Sequence, residues 1–212
     1  MIRYLVLIIF YNLICAYTVS DAVGQNGLVV SSKAEASKVG IDVLRNGGNA
    51  IDAAVAVAFA LSVTHPSAGN LGGGGFMVIR LADGTVTTID FREKAPIESS
   101  KNMFLDSLGN VISGKSWSTA LASGVPGTVA GLGYAHEKYG SMNWFDVVYP
   151  SVLLAKFGYP LDYFNVNILN SDKYSNYLSS DYFSNIYFTK DSEFKLNEHF
   201  IQKDLSETLL RI

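Results

Sequence analysis

The chain has 212 residues, a formal net charge of −3, and 49% apolar residues. That length and apolar share are enough for one sizeable core. The lack of a basic surplus argues against a nucleic-acid partner, and no long run of like charge marks a solvated tail.

The first 22 residues, MIRYLVLIIFYNLICAYTVSDA, have the layout of an export signal. Arg3 is the basic start, residues 5–13 form an apolar stretch broken by Tyr11 and Asn12, and Ser20 and Ala22 supply small residues for cleavage. Ala16 offers a second cut. An uncut anchor is the alternative, but the run is shorter than the ~20 residues that span a bilayer. Cys15 is the only cysteine; Ile14 before it is bulky for a lipid-modified site. Removal of residues 1–22 leaves a mature chain without a disulfide or a thiol nucleophile. This fits an exported enzyme, periplasmic or secreted, that relies on its core.

GLVVSS (residues 27–32) reads as a short strand. The following segment places Val39, Val43 and Leu44 at helical spacing, and Asn46-Gly47-Gly48 ends that helix with a glycine suited to the left-handed region. Asn49 then caps AIDAAVAVAFALSVTH, with Asp52 three residues on, near the positive helix end. This second helix is apolar on all sides, as a buried helix is, and too short for a membrane span. A glycine loop follows, then FMVIRL, the turn Ala82-Asp83-Gly84 and TVTTIDF, a β-hairpin. Helix, glycines, strand is the reverse of a dinucleotide-binding loop. Gly72, Gly73, Gly74 and Gly75 serve instead to let backbones pass closely or to hold unusual dihedrals.

Residues 122–140 read as a tight turn and a helix with Val129, Leu132, Gly133 and His136 along one side. WFDVVYPSVLLAKFGYP is another helix, stopping at Gly158. Beyond about Asn165 the chain is rich in Asn, Ser, Tyr, Phe and Lys, and its pattern is weak. IQKDLSETLLRI begins a helix with Leu205, Leu209 and Leu210 on one face; it is expected to run to the last residue, so the chain ends mid-element.

GNVISGKS (residues 109–116) matches the four fixed positions of a phosphate-binding loop. Such a loop needs a buried strand before it and a long helix after it. NMFLDSL is no such strand, and Gly124 and Pro126 would break the helix. The expected structure is a surface turn with Lys115 solvated.

Several pieces, in order, resemble the gamma-glutamyltranspeptidase family, the glutathione hydrolases. They are the run from GLVVSSKAEASKVG through LGGGGFMVIRLADG, then DFREKAP, NMFLDSLGN, ASGVPGTVAGL and the C-terminal IQKDLSETLLRI. One departure is visible: Asn70 and Leu71 stand where the family often has Gly-Ile before its glycines. The resemblance implies an α+β, N-terminal nucleophile hydrolase-type four-layer αββα sandwich, incomplete in this chain. Residues 23–212 are then the N-terminal part of the large subunit, a fragment. The implied reaction is transfer of the gamma-glutamyl group of glutathione or a related donor to water or to amino acids and peptides. The nucleophile is the N-terminal threonine of a small subunit freed from the same precursor, its own amine serving as base. None of this chain's threonines, Thr64 included, resembles that junction, so no catalytic residue is expected here.

The resemblance assigns Arg92 of DFREKAP to the donor's alpha-carboxylate. A guanidinium fork suits that task, and a strand end can aim it. The residues alone leave open an ordinary ion pair with Glu93 or Asp90, groups that could equally orient Arg92. His65 reads as a helix-end residue, His136 as a packing residue, His199 as isolated and Asp52 as a cap. No His, Cys or carboxylate cluster has metal-ligand spacing, and no cofactor is expected. The rival readings are a related acylase of the same architecture and a truncated, non-catalytic remnant.

Overall fold

The computed structural model describes residues 21–171 and 193–212. The export-signal reading therefore lies outside the described residues except at Asp21 and Ala22, as does most of the weakly patterned stretch after Asn165.

Helix α1 (Ala34–Arg45) buries Ala36, Val39 and Val43. It closes as its sequence requires. Gly47 has φ +93 and donates to Leu44 O, while Gly48 N–H reaches Val43 O at 3.0 Å, which satisfies the last carbonyls. Helix α2 (Ala50–Thr64) starts at once from a reciprocal cap: Asn49 Oδ1 accepts from Ile51 and Asp52, and Asp52 Oδ2 accepts from Asn49 N–H. Val55, Phe59 and Val63 of α2 are fully buried, each contributing roughly 1.5–3 kcal/mol by leaving water. The helix is not buried all round: Ala54 is exposed and Val57 and Ala58 are half-covered.

Strands β1 (Phe76–Arg80) and β2 (Val86–Asp90) pair antiparallel with Phe76 opposite Asp90 and Val78 opposite Thr88. Gly84, at φ +89, donates to Leu81 O and closes the turn. Ile79 faces the core, while Phe76, Val78 and Val86 line the outer face and are 60–74% exposed.

Helix α3 (Thr128–Tyr139) buries Thr128, Gly131, Leu132 and Ala135. The expected stripe is thus rotated: Val129 and His136 flank it, and Gly133 faces open space. Helix α4 (Trp144–Phe157) stops at Gly158, φ +80. It packs Val147, Val148 and Val152 into the core with α2, where Trp144 meets Phe59 edge to face at 5.6 Å. Strand β3 (Tyr159–Pro160) leads to helix α5 (Tyr163–Leu169) and pairs with β4 (His199–Phe200), which leads into α6 (Lys203–Leu210). In α6, Leu209 is buried and Leu205 partly so, but Leu210 is 46% exposed, because it lies one residue, about 100°, around the helix from Leu209. Beyond Leu210, Arg211 N–H bonds to Thr208 O and Ile212 N–H to Leu209 O.

Two expectations change. Residues 27–32 form no strand: Leu28 and Val30 are exposed, and no described strand lies beside them to complete a ladder. Each described sheet has two strands, so the class is α+β and the sandwich is present only in part. Among the described residues no helix is long and apolar enough to cross a membrane.

Candidate substrate-binding site

Arg92 follows β2 directly, and its position is set by its neighbours. Phe91 N–H bonds to Gly75 O at 3.0 Å, which carries the hairpin pairing one residue past β2. The Phe91 ring fills a slot made by glycines. A Cβ on Gly75 would lie 2.8 Å from the ring, a Cβ on Gly131 would collide with it, and one on Gly127 would collide with Phe91 O. A Cβ on Gly74 would sit 2.9 Å from Arg92 Cα. None of Gly72, Gly73, Gly74 and Gly75 has φ in the left-handed region. Of the two roles expected for these glycines, close passage is the one the structure uses.

The glycine loop is anchored at its other end. Gly73 O accepts from Gly127 N–H at 2.7 Å and Thr128 N–H at 3.0 Å, so it caps the first turn of α3. Asn70 Oδ1 accepts from Gly73 N–H at 2.9 Å and from the Thr128 hydroxyl at 2.6 Å. Asn70 is therefore the clasp between loop and helix. Past Arg92, Lys94 and Val125 exchange two backbone bonds, of 3.2 and 2.8 Å.

The Arg92 backbone is thus held on both sides, while its side chain is exposed. Asp90 Oδ1 accepts from Arg92 N–H at 3.0 Å, so it orders the backbone and not the guanidinium. No ion pair within 4.0 Å joins Arg92 to Asp90, Glu93 or any other described carboxylate. Two clefts meet at Arg92. One, of about 480 Å³, lies between β2 and α3; the other, of about 640 Å³, lies under residues 95–124.

The other candidates stay outside this site. Asp52 is fully buried and accepts from Ser141 Oγ at 2.7 Å and from Asn49, Ser141 and Met142 N–H groups. Burial pushes its carboxyl up, but these hydrogen bonds, led by the Ser141 hydroxyl, outweigh burial and hold it below the usual carboxylate range. His136 Nε2 lies 3.4 Å from Asp52, and its ring packs on Trp144 at 5.1 Å; the packing role stands, with an acidic neighbour added. His65 ends α2 as expected, against the Phe164 ring. Burial and the Lys33 ammonium lower its pKa, opposed by Asp162. His199 is exposed on β4. Residues 109–116 form turns, with Gly109 at φ +84 and Gly114 at φ +80, and no helix begins at Lys115. Lys115 is only partly exposed, a correction to its solvated reading, because it lies inside those turns.

Sequence reasoning missed the parts that aim Arg92: Asn70, Phe91 and the Gly127–Gly131 pair. The four-residue glycine spacing at the start of α3 was the available sign of a close-packed face. It also missed Lys33, whose buried ammonium meets Asp162 at 2.6 Å and lies 4.6 Å from the Phe164 ring centre.

The family model for Gamma-glutamyltranspeptidase matches residues 36–212. A glutathione hydrolase proenzyme of Pseudomonas sp. (strain A14) is 49% identical over 185 residues, which cover 87% of this chain and 32% of that protein. One from Escherichia coli (strain K12) is 47% identical over 190 residues, 87% of this chain and 32% of that protein. The crystal structure of Helicobacter pylori gamma-glutamyltranspeptidase is similar with a TM-score of 0.86 and 44% identity, covering 91% of this chain and 55% of that one. The chain spans about a third of the length of these curated relatives. A model match over most of the chain and agreement in three dimensions lead to one conclusion: the chain belongs to the gamma-glutamyltranspeptidase family, and its α+β arrangement is that family's N-terminal nucleophile hydrolase fold.

Proposed function

We propose that this chain supplies the donor-carboxylate side of a gamma-glutamyltransferase and glutathione hydrolase, with Arg92 binding the alpha-carboxylate of the gamma-glutamyl donor. The observation that carries this reading is an arginine whose backbone is fixed by glycine contacts while its guanidinium has no described carboxylate partner. An exposed guanidinium on a fixed backbone can meet a carboxylate with two parallel N–H groups. Two parallel N–H···O bonds to the carboxylate fix the donor's head, so its gamma-carbonyl is presented at a constant distance.

The reaction itself needs a nucleophile. The family resemblance supplies it as the N-terminal threonine of a small subunit cut from the same precursor. The threonine hydroxyl attacks the gamma-carbonyl, the amine leaves with a proton, and water or an amino acid then takes the acyl group. The word proenzyme in the names of both relatives supports that partner. So does the outer face of the hairpin, where Phe76, Val78 and Val86 stand uncovered. We place residues 1–22 as a cleaved export signal, residues 23–212 as the N-terminal part of the large subunit, and the enzyme in the periplasm or outside the cell.

Arg92→Ala in the full-length protein tests the site. The expected result is a fall of about a hundredfold in kcat/KM for gamma-glutamyl donors, carried by KM. Arg92→Lys keeps the charge without the fork and should recover only part. Unchanged donor affinity in Arg92→Ala would remove Arg92 from the site.

A further inference from the structure

The dipeptide Asn-Gly occurs twice in the chain, at Asn26-Gly27 and at Asn46-Gly47, and the fold treats the two pairs differently. The pair is chemically labile. The glycine backbone nitrogen can attack the asparagine side-chain carbonyl, because glycine has no Cβ to block the approach and turns freely. The attack has two requirements. The glycine N–H must be free to give up its proton, and the asparagine backbone must be free to turn until that nitrogen meets Cγ.

At Asn46 both are denied. Asn46 N–H bonds to Asp42 O at 3.0 Å, Gly47 N–H to Leu44 O at 3.2 Å, and Gly48 N–H to Val43 O at 3.0 Å. Asn46 is thereby fixed at φ −85, ψ 10 as the closing residue of α1, and only local opening of the helix end releases it. At Asn26 neither requirement is denied. The chain doubles back over residues 24–27, since a Cβ on Gly24 would collide with Gly27 O, and Gln25 and Asn26 form an exposed tip. Among the described residues, neither the Asn26 side chain nor the N–H of Asn26 or Gly27 enters a hydrogen bond. Asn46 is exposed as well, so access to water does not distinguish the pairs. The hydrogen bonds do.

We propose that Asn26 is a modification site, converted without an enzyme to aspartate and isoaspartate, while Asn46 is preserved by the end of α1. Hydroxide takes the Gly27 amide proton and the nitrogen bonds to Asn26 Cγ. The Cγ–Nδ2 bond breaks and ammonia leaves, which closes a five-membered succinimide. Water then opens either carbonyl of the ring. Opening at the main-chain carbonyl routes the backbone through the side chain as isoaspartate; opening at Cγ gives aspartate. In sum one water is consumed and one ammonia released. The position gives the change a consequence. Three residues on, Val29 packs against α1 where Gly40 leaves it room; a Cβ there would lie 2.8 Å from Val29 Cγ1. Isoaspartate adds one methylene to the backbone ahead of that anchor, and either product adds a negative charge.

The test incubates the full-length protein at mildly alkaline pH and follows both pairs by peptide mass spectrometry. A protein isoaspartate methyltransferase with labelled S-adenosylmethionine marks the isoaspartate in the same digests. Asn26 should convert at least about tenfold faster than Asn46, with isoaspartate as the larger product. In guanidinium chloride, where α1 is unfolded, the two rates should converge to within about threefold. Asn26→Gln should remove the methyl label from its peptide and leave the Asn46 peptide unchanged. Equal rates in the folded protein, faster conversion at Asn46, or no conversion at Asn26 would overturn the proposal. So would a ratio that persists undiminished in denaturant, because neighbouring sequence and not the fold would then set it.

Discussion

The helical half and the arm that carries Arg92 treat their polar groups in opposite ways. Around α2, buried charge is matched: Asp52 is surrounded by donors from Asn49, Ser141 and Met142, and Lys33 is clamped to Asp162. On the arm, Arg92, Lys94 and Lys101 have no described ionic partner, although the backbone beneath Arg92 and Lys94 is closely fixed. The core uses paired charge to join elements distant in sequence. The arm uses backbone contacts for rigidity and leaves its cations for something else. If Arg92 binds the donor as proposed, stability and binding are carried by different residues, the arrangement of a site mounted on a scaffold.

That division can be broken from either side. The largest effect should come from Asp52→Ala, which leaves several buried N–H groups without an acceptor. We expect a loss of about 3–4 kcal/mol, read from the denaturant midpoint at constant slope. Arg92→Ala should do the converse, with the hundredfold loss in donor use given above and a midpoint within about 0.5 kcal/mol of wild type. A large stability loss in Arg92→Ala would merge the two regions and contradict the comparison.

Gly131→Ala sharpens the link between them. The added methyl meets the Phe91 ring, which must shift and carry Arg92 with it. We expect KM for gamma-glutamyl donors to rise about tenfold, with a stability cost of roughly 1–3 kcal/mol. Gly133→Ala, where a Cβ meets open space, is the control and should change neither. The smallest effect concerns pH. The Asp52 carboxyl is held below its ordinary value of 3.8, so it binds protons more weakly folded than unfolded. Its contribution is complete above the unfolded value and fades as pH falls through the lower folded value. Wild type should lose stability on acidification below about pH 4 more steeply than Asp52→Asn, measured by thermal melts across that range.

The local parts of this fold were legible. Asn46-Gly47-Gly48-Asn49 gave one helix end and the next cap, and Ala82-Asp83-Gly84 gave the hairpin turn, because those conformations are decided within a few residues. Residues 27–32 had the composition of a strand without a neighbour to pair with, and pairing is not a local property. The rotation of the buried stripe on α3 has the same origin: Gly131 is buried because Phe91, 40 positions earlier, needs its missing side chain. Arg92 was found through its motif, not through its chemistry, which suited an ion pair equally well. Only the three-dimensional arrangement shows that neither Asp90 nor Glu93 takes its guanidinium.

The most direct test compares two anilides in the full-length protein, gamma-glutamyl-p-nitroanilide and the analogue lacking only the alpha-carboxylate. Wild type should favour the carboxylate-bearing donor by about a hundredfold in kcat/KM, and Arg92→Ala should reduce that preference to near unity. A preference that survives intact in Arg92→Ala would show that another group holds the carboxylate, and that the free guanidinium at the end of β2 is not the donor site.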